Sequence, residues 1–198
     1  AANEDMLLVD TIAGIERVPV EAHDHDEDED EDHQEGGLDP HVWLSPTLVE
    51  MQAAAIYEAL AALDPDHQEM YQANLNAFLA DVDQLERDIR ATLSGLEGKK
   101  FLVFHPAWGY FARDFGLEQI AVEIGGQEPS AQELAQLIQT AKQEEVRVVF
   151  AQPEFSTQDA ETIAQEIDGE VLLISPLAPD WLENMRTVAQ TFAQVLNQ

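Results

Sequence analysis

Residues 101–124 read FLVFHPAWGYFARDFGLEQIAVEI, and this order of segments decides the fold. An apolar run is followed by a helix-like stretch from Pro106 and then by a second apolar run at 120–124. Further on, short apolar runs alternate with helix-like stretches: VRVVF at 146–150 and VLLI at 171–174, with helices at 130–144, 157–167 and 181–196. Short buried strands that alternate with helices predict an α/β fold with a mostly parallel sheet.

A long helix is predicted ahead of this α/β region. Its apolar side chains recur every three or four residues, as on one face of a helix: Tyr71, Leu75, Phe78, Val82, Leu85, Ile89, Leu93 and Leu96. About 30 residues at 1.5 Å each give a rod of roughly 45 Å, ended by Gly95 and Gly98. A rod of this length typically spans more than one lobe or packs along a whole domain.

The first 65 residues contain few predicted elements. Met6–Val9 (MLLV) is a candidate buried strand, and Ser45 with Pro46 is typical of a helix start, with the helix running to about Leu63. This is too little to close a core. We expect residues 1–65 to be the remainder of an N-terminal lobe, 66–97 a linking helix and 98–198 a C-terminal α/β lobe.

Composition restricts the partners. The 198 residues include 9 basic and 40 acidic side chains, a formal net charge of −31, which argues against binding nucleic acid or anionic membranes and favours cations. Cysteine is absent, which excludes disulfides, thiolate zinc sites and cysteine nucleophiles. No apolar run approaches about 20 residues, and no signal peptide is recognisable, so we expect a cytoplasmic, already processed or fragmentary chain.

The segment EAHDHDEDEDEDHQE, residues 21–35, holds ten of the acidic residues and three histidines, His23, His25 and His33. Without large apolar side chains it cannot offset its ordering entropy, so we predict a mobile acidic loop, bounded at 21–37. The histidines and carboxylates can hold divalent cations loosely as accessory ligands. The alternative is a solvated acidic tether.

Two other histidines stand at the ends of predicted elements. His41 precedes a helix, and His105 follows the FLVF strand, where open α/β sheets place their ligands. In a chain without cysteine, two such imidazoles suit a divalent ion of the zinc type. The alternative is two ordinary hydrogen-bonded histidines, and His67 is expected at the surface.

An enzymatic function has little support in the sequence. The chain has no GxSxG, P-loop, GxGxxG or HExxH motif, and 40 acidic residues make any carboxylate pair uninformative. Trp43, Trp108 and Trp181 are expected to serve as packing or lobe-contact residues. A zinc hydrolase would need a third ligand and a general base, for which no spaced motif is present.

Several segments together resemble the metal-binding receptors of ABC importers for zinc and manganese, most closely the zinc receptors with a His-rich acidic loop. They are the acidic loop, DPHVWLSP, FLVFHPAWGYFARDFGL, EPSAQELAQLIQTAKQEEVRVVFAQPEFS and SPLAPDWLENM, in the family's order. The resemblance implies two α/β lobes joined by a long helix, with the metal between them. It also implies a periplasmic or extracytoplasmic location, a membrane permease as partner, and no enzymatic activity.

Carried over by motif, His41 and His105 are the implied metal ligands. Ser175 stands where many members have a carboxylate, which argues for zinc over manganese because a hydroxyl is a poor ligand for a hard ion; no motif assigns this role to nearby Asp180. The family's earlier stretch of about a hundred residues, with another ligand, is not represented in this sequence. We therefore expect weaker binding than in an intact receptor, and exposed apolar surface that promotes association.

These observations lead to three hypotheses of function. The first is a high-affinity zinc receptor that delivers Zn²⁺ to an ABC-type importer, with a manganese receptor as its variant. The second is a metal-dependent hydrolase, and the third is a zinc buffer or adhesin-like protein that depends mainly on the acidic loop.

Overall fold

The computed structural model describes residues 6–20, 37–123, 129–154 and 157–197, and they form an α/β fold. The helices and strands, in chain order, are α1 (Pro46–Leu63), α2 (Gln68–Thr92), β1 (Lys100–Val103), α3 (Gly109–Phe115), β2 (Glu118–Ala121), α4 (Ala131–Gln143), β3 (Val148–Ala151), α5 (Gln158–Glu166), β4 (Glu170–Leu173) and α6 (Trp181–Leu196). Each predicted strand–helix alternation after residue 100 is therefore confirmed, with boundaries shifted by a few residues.

The four strands form one parallel sheet in the order β2-β1-β3-β4. Val103 pairs with Ala121 on one side of β1 and with Phe150 on the other, and Phe150 pairs with Leu172 of β4. All carboxyl ends of the strands therefore lie along one edge. This is the edge at which open parallel sheets bind ligands.

Helices cover both faces of the sheet, as a parallel sheet requires. One core joins alternate strand residues such as Phe101 and Phe150 to α2, α3 and α6, where Phe192 is fully buried. The other core joins Leu102 and Val149 to α4 and α5. A capping box formed by Ser130 and Glu133 begins α4.

The long helix is shorter than the sequence predicts. Helix α2 has 25 residues, or roughly 38 Å, and ends at Thr92, whereas the apolar stripe suggested a rod to Leu96. Leu93 and Leu96 are still buried, but in a turn that closes at Gly95, which has a φ of 85°. Sequence periodicity continued past the helix because the turn also faces the core.

The predicted strand at Met6–Val9 is wrong: this segment has no regular structure, and Leu8 is 86% exposed. The apolar run does not form a strand because it has no partner strand among the described residues. The predicted start of α1 is confirmed, since the Ser45 hydroxyl accepts a hydrogen bond from the Leu48 amide at 3.2 Å.

The expected exposed apolar surface is present in the first part of the chain. Its large apolar side chains are Met6, Leu7, Leu8, Met51, Ile56, Leu60, Leu63 and Met70. Helix α1 buries only Pro46 and Leu48. Among the described residues, no helix is both long and apolar enough to span a membrane.

Candidate metal site at the carboxyl edge of the sheet

His41 lies in the turn between Pro40 and a short 3₁₀ helix at Val42–Leu44. Its backbone amide and its Nδ1 both donate to one oxygen of Asp39, at 2.8 and 2.7 Å. An Asp two residues before the histidine thus fixes both the turn and the ring. Because a carboxylate accepts, Nδ1 carries the proton and Nε2 presents its lone pair outward.

Asp39 is itself held from several sides. Its side chain is buried, and its backbone amide donates to Val18 at 2.8 Å. Its carbonyl accepts from the Tyr110 hydroxyl at 3.0 Å, and that hydroxyl accepts from the Val18 amide at 3.2 Å. Burial, the largest cause, raises the pKa of the Tyr110 phenol, so this hydroxyl remains a donor at neutral pH. The segment before α1 is therefore tied to α3.

His105 lies two residues beyond the end of β1, at the carboxyl edge of the sheet. Its Nδ1 is 2.7 Å from a carboxylate oxygen of Glu123, which follows β2. The two are neighbours because the Glu123 amide donates to the Phe104 carbonyl at 2.9 Å, which extends the β1–β2 ladder past the strands. Glu123 thus orients His105 as Asp39 orients His41, with Nε2 again carrying the lone pair.

The two histidines, 64 residues apart in sequence, meet at this edge. Their Nε2 atoms are 3.4 Å apart, and their ring centroids are 5.2 Å apart. Two nitrogens bound to one tetrahedral Zn²⁺ at about 2.0–2.1 Å would be about 3.3–3.4 Å apart. The pair therefore has the separation that a shared zinc ion requires. An apposition of two lone pairs is favourable only with a cation or proton between them.

Indole side chains join the His41 segment to the loop after β4. The Trp43 ring stands 5.4 Å from the His41 ring, and its Nε1 donates to the Pro176 carbonyl at 2.8 Å. Trp181 donates back to the Trp43 carbonyl at 2.8 Å. The predicted role of Trp43 and Trp181 in packing between chain segments agrees with these contacts.

The remaining candidates have other surroundings. Ser175 bonds through its hydroxyl to the Glu154 carboxylate and accepts from the Leu177 amide at 3.1 Å, while Asp180 caps α6. His67 is exposed and bonded to Asp64.

The accessory candidates His23, His25 and His33 lie outside the described residues. Within the described ranges, no group of three or more His, Asp or Glu side chains converges as a ready-made metal cluster.

The carboxylates Asp39 and Glu123 are the site residues that sequence reasoning missed. Asp39 stood in the quoted DPHVWLSP segment, and its spacing to His41 was the available signal. Glu123 could be found only from the β1–β2 register, which places it beside His105. With them, the site is two carboxylate–histidine pairs aimed at one point.

An α/β fold with a pair of carboxylate-supported imidazoles at its carboxyl edge has the geometry expected of a cation-binding protein. The chain belongs to the family described as "Zinc-uptake complex component A periplasmic", whose model matches residues 1–195. It is 35% identical over 142 residues to the "High-affinity zinc uptake system protein ZnuA" of Bacillus subtilis. That match covers 71% of this chain and 44% of the relative. This chain therefore spans about half the length of such relatives.

Solved structures are similar over nearly the whole chain. One described as "Crystal structure of ZnuA" is 46% identical, with a TM-score of 0.87, and the match covers 98% of this chain and 71% of that one. A "138-173 ZnuA deletion mutant plus zinc bound" matches with a TM-score of 0.86 and 46% identity. The resemblance and the fold class predicted from sequence are therefore confirmed.

Proposed function

We propose that this chain forms part of an extracytoplasmic receptor that binds Zn²⁺ through His41 and His105 and delivers it to an ABC-type importer. The observation that carries the proposal is the 3.4 Å separation of the two Nε2 atoms. Both rings are oriented by carboxylates, as is usual for histidines that bind zinc. Family membership supports the periplasmic or extracytoplasmic location and the role in metal uptake.

Nitrogen ligands favour zinc over manganese. Imidazole suits zinc, whereas manganese prefers carboxylate, carbonyl and water oxygens. Ser175 adds no carboxylate, and its hydroxyl is bonded to Glu154 and Leu177. With two protein nitrogens, water or further residues must complete the tetrahedron.

Transport needs no chemical step in the receptor, which must select, hold and release the ion. The excess of acidic side chains raises the local cation concentration around the site. We assign residues 1–65 to the remainder of the N-terminal lobe, 66–97 to the linking segment and 98–198 to the C-terminal lobe. The permease is the proposed partner for release.

The experiment is zinc titration of the chain in competition with a chromophoric chelator. His41→Ala and His105→Ala should each weaken the tight site by more than the tenfold to about hundredfold loss typical of removing an outer partner of a ligand. His67→Ala is the matched control, because His67 is an exposed histidine bonded to an Asp but remote in its contacts from the pair.

A tight, stoichiometric zinc site that survives both His41→Ala and His105→Ala would overturn the proposal. A parallel titration with Mn²⁺ checks the choice of ion. Zinc should compete out manganese at equal concentration, and a preference for manganese would contradict the argument from nitrogen ligands.

A further inference from the structure

Gln152, the residue after β3, has a buried side chain that is 5% exposed, and neither its Oε1 nor its Nε2 has a hydrogen-bond partner in the structure. Buried polar groups in folded proteins are nearly always paired, so an amide with both ends unpaired needs a reason. Among the described residues, the other buried side-chain atom without a partner is Nε1 of Trp108, three residues after His105. Trp108 is thus close to His105 in sequence, and Gln152 is close to it through the register of the sheet.

The sheet register places Gln152 beside His105. Val103 and Phe150 form the last β1–β3 pair, and the same register continued by two residues would bring His105 opposite Gln152. The two flanking ladders reach this level, since Glu123 donates to the Phe104 carbonyl and Ile174 donates to the Ala151 carbonyl, each at 2.9 Å. Between β1 and β3 the last bond runs from the Phe104 amide to the Phe150 carbonyl at 2.8 Å.

Strand alternation places these side chains on one face. Val103, Phe150 and Ile174 belong to the core beneath α2, α3 and α6, whereas Leu102 and Ala151 belong to the opposite core. Continued past the strand ends, the alternation of side chains would return His105 and Gln152 to the first face. Glu123, His105 and Gln152 would then form one row across three adjacent strand ends, and the Glu123–His105 hydrogen bond agrees with the first half of this row.

We propose that Gln152 is a positioning residue of the metal site, whose amide becomes paired only when the ion enters, by accepting a hydrogen bond from a water bound to the ion. This inference rests on the proposed binding of zinc by His41 and His105. Two imidazoles leave open positions on a tetrahedral zinc, and water fills such positions. A zinc-bound water is a strong donor, and the Gln152 Oε1 is a neutral acceptor that adds no charge.

Replacing Gln152 by an apolar residue should affect the stability of the metal-free protein and the affinity for zinc in different directions. In the metal-free protein, replacing an unpaired buried amide by an apolar group of similar shape should be neutral or stabilising. In the zinc-bound protein the same change removes a partner of a metal-bound water. Losing an outer partner of this kind typically costs tenfold to about hundredfold in metal affinity. A purely structural residue would not separate the two measurements in this way.

The test compares Gln152→Met, Gln152→Glu and the control Gln143→Met, which changes an exposed glutamine at the end of α4. For each variant, thermal unfolding is measured without metal, and the zinc dissociation constant is measured by chelator competition. Gln152→Met should unfold at the same or a higher temperature than the parent and bind zinc about tenfold more weakly. Gln152→Glu keeps the acceptor and should bind zinc within a few-fold of the parent.

Unchanged zinc affinity in Gln152→Met would overturn the inference, and so would a lower unfolding temperature or failure to fold, because each would show that the amide is already paired without metal. If the parent binds zinc and depends on His41 but not on Gln152, only this inference fails. If the parent has no zinc site dependent on His41 and His105, the proposed function fails with it.

Discussion

The two carboxylate–histidine pairs perform the same task with different degrees of support. The side chains of His41 and Asp39 are 14% and 4% exposed, whereas those of His105 and Glu123 are 29% and 20% exposed. Asp39 receives two hydrogen bonds from His41, and its backbone is bonded to Val18 and Tyr110. Glu123 sits at the open edge of the sheet with its backbone held by the β1–β2 ladder.

These contacts indicate that the fold fixes the His41 imidazole, whereas the His105 imidazole has room to adjust. A buried carboxylate with committed bonds defines a single ring position, and its loss leaves polar groups unpaired. A partly exposed carboxylate can exchange its bond with water at a smaller cost. We therefore expect the His41 side to set the geometry and the His105 side to adapt to the ion.

The largest effect should come from Asp39→Asn, compared with Glu123→Gln. Both His41 donors bond to the same Asp39 oxygen, and in the asparagine variant that oxygen is neutral and a weaker acceptor, while the new N–H group stands in a buried place. We expect a loss of about 1–3 kcal/mol in unfolding free energy, together with tenfold to about hundredfold weaker zinc binding. Denaturant unfolding and chelator competition measure the two quantities.

Glu123→Gln is the partner measurement. Its carboxylate is partly exposed, so we expect a change below about 1 kcal/mol in unfolding free energy and a smaller loss in affinity than Asp39→Asn gives. Equal losses of stability in the two variants would contradict this expectation, because the two pairs would then be equally supported.

Gly109→Ala should produce the next largest effect. A Cβ built at position 109 would lie 3.2 Å from Oδ2 of Asp39, closer than ordinary contact. Since Asp39 is held by His41, it cannot retreat freely, so the new methyl group should displace the carboxylate. We expect the free energy of unfolding to fall by about 1 kcal/mol and zinc binding to weaken several-fold.

The control for this variant is Gly37→Ala, where a Cβ would meet nothing within 4 Å. Alanine normally stabilises a helix over glycine, and Gly109 is the first residue of α3. A gain in stability for Gly109→Ala without loss of zinc affinity would therefore show that Asp39 is as adaptable as Glu123.

Most of the helices and strands after residue 100 could be predicted from the sequence. The strand–helix alternation after residue 100 was readable because short apolar runs mark the strands, most clearly the fully buried β3, and some helices have a marked start, as at Ser130. The strand predicted at MLLV was wrong because an apolar run forms a strand only where a neighbouring strand can pair with it. The end of α2 was missed because Leu93 and Leu96 remain in the core after the helix ends.

The sequence named the two candidate ligands but not the carboxylates that orient them. His41 and His105 were proposed from their places at element ends and from the family resemblance, and their role as ligands stays a prediction. Their 3.4 Å approach depends on packing between segments 64 residues apart, which no local pattern encodes. The role of Glu123 depends on sheet register, and that of Gln152 on a missing partner, so both require coordinates.

Trp43→Phe should have a smaller effect. The variant keeps an aromatic ring near His41 but removes the Nε1 donor, leaving the Pro176 carbonyl unpaired. We expect a cost of about 1 kcal/mol in unfolding free energy and at most a few-fold change in zinc affinity. Trp181→Phe, which removes the reciprocal bond to the Trp43 carbonyl, allows a double-mutant cycle. Strict additivity of the two changes would mean that the indoles do not act together on the His41 segment.

Deleting residues 21–35 should have the smallest effect on the tight site. The ladder that carries Asp39 is closed without this segment, because Pro19 pairs with Leu38 and the Val20 amide donates to the Gly37 carbonyl at 3.0 Å. Shortening the segment between these paired ends also lowers the entropic cost of bringing them together. We expect zinc affinity at the His41–His105 pair to stay within a few-fold, while the number of weakly bound zinc ions falls with the loss of His23, His25, His33 and ten acidic residues.

Calorimetric titration separates the two classes of binding in the deletion variant. A loop replaced by a Gly-Ser linker of equal length is the control for changes in chain length. If the deletion removed nearly all zinc binding, the acidic segment would be the main element, as in a metal buffer. The rigid Asp39–His41 pair and the adaptable Glu123–His105 pair would then owe their arrangement to hydrogen bonding alone, because neither would be holding an ion.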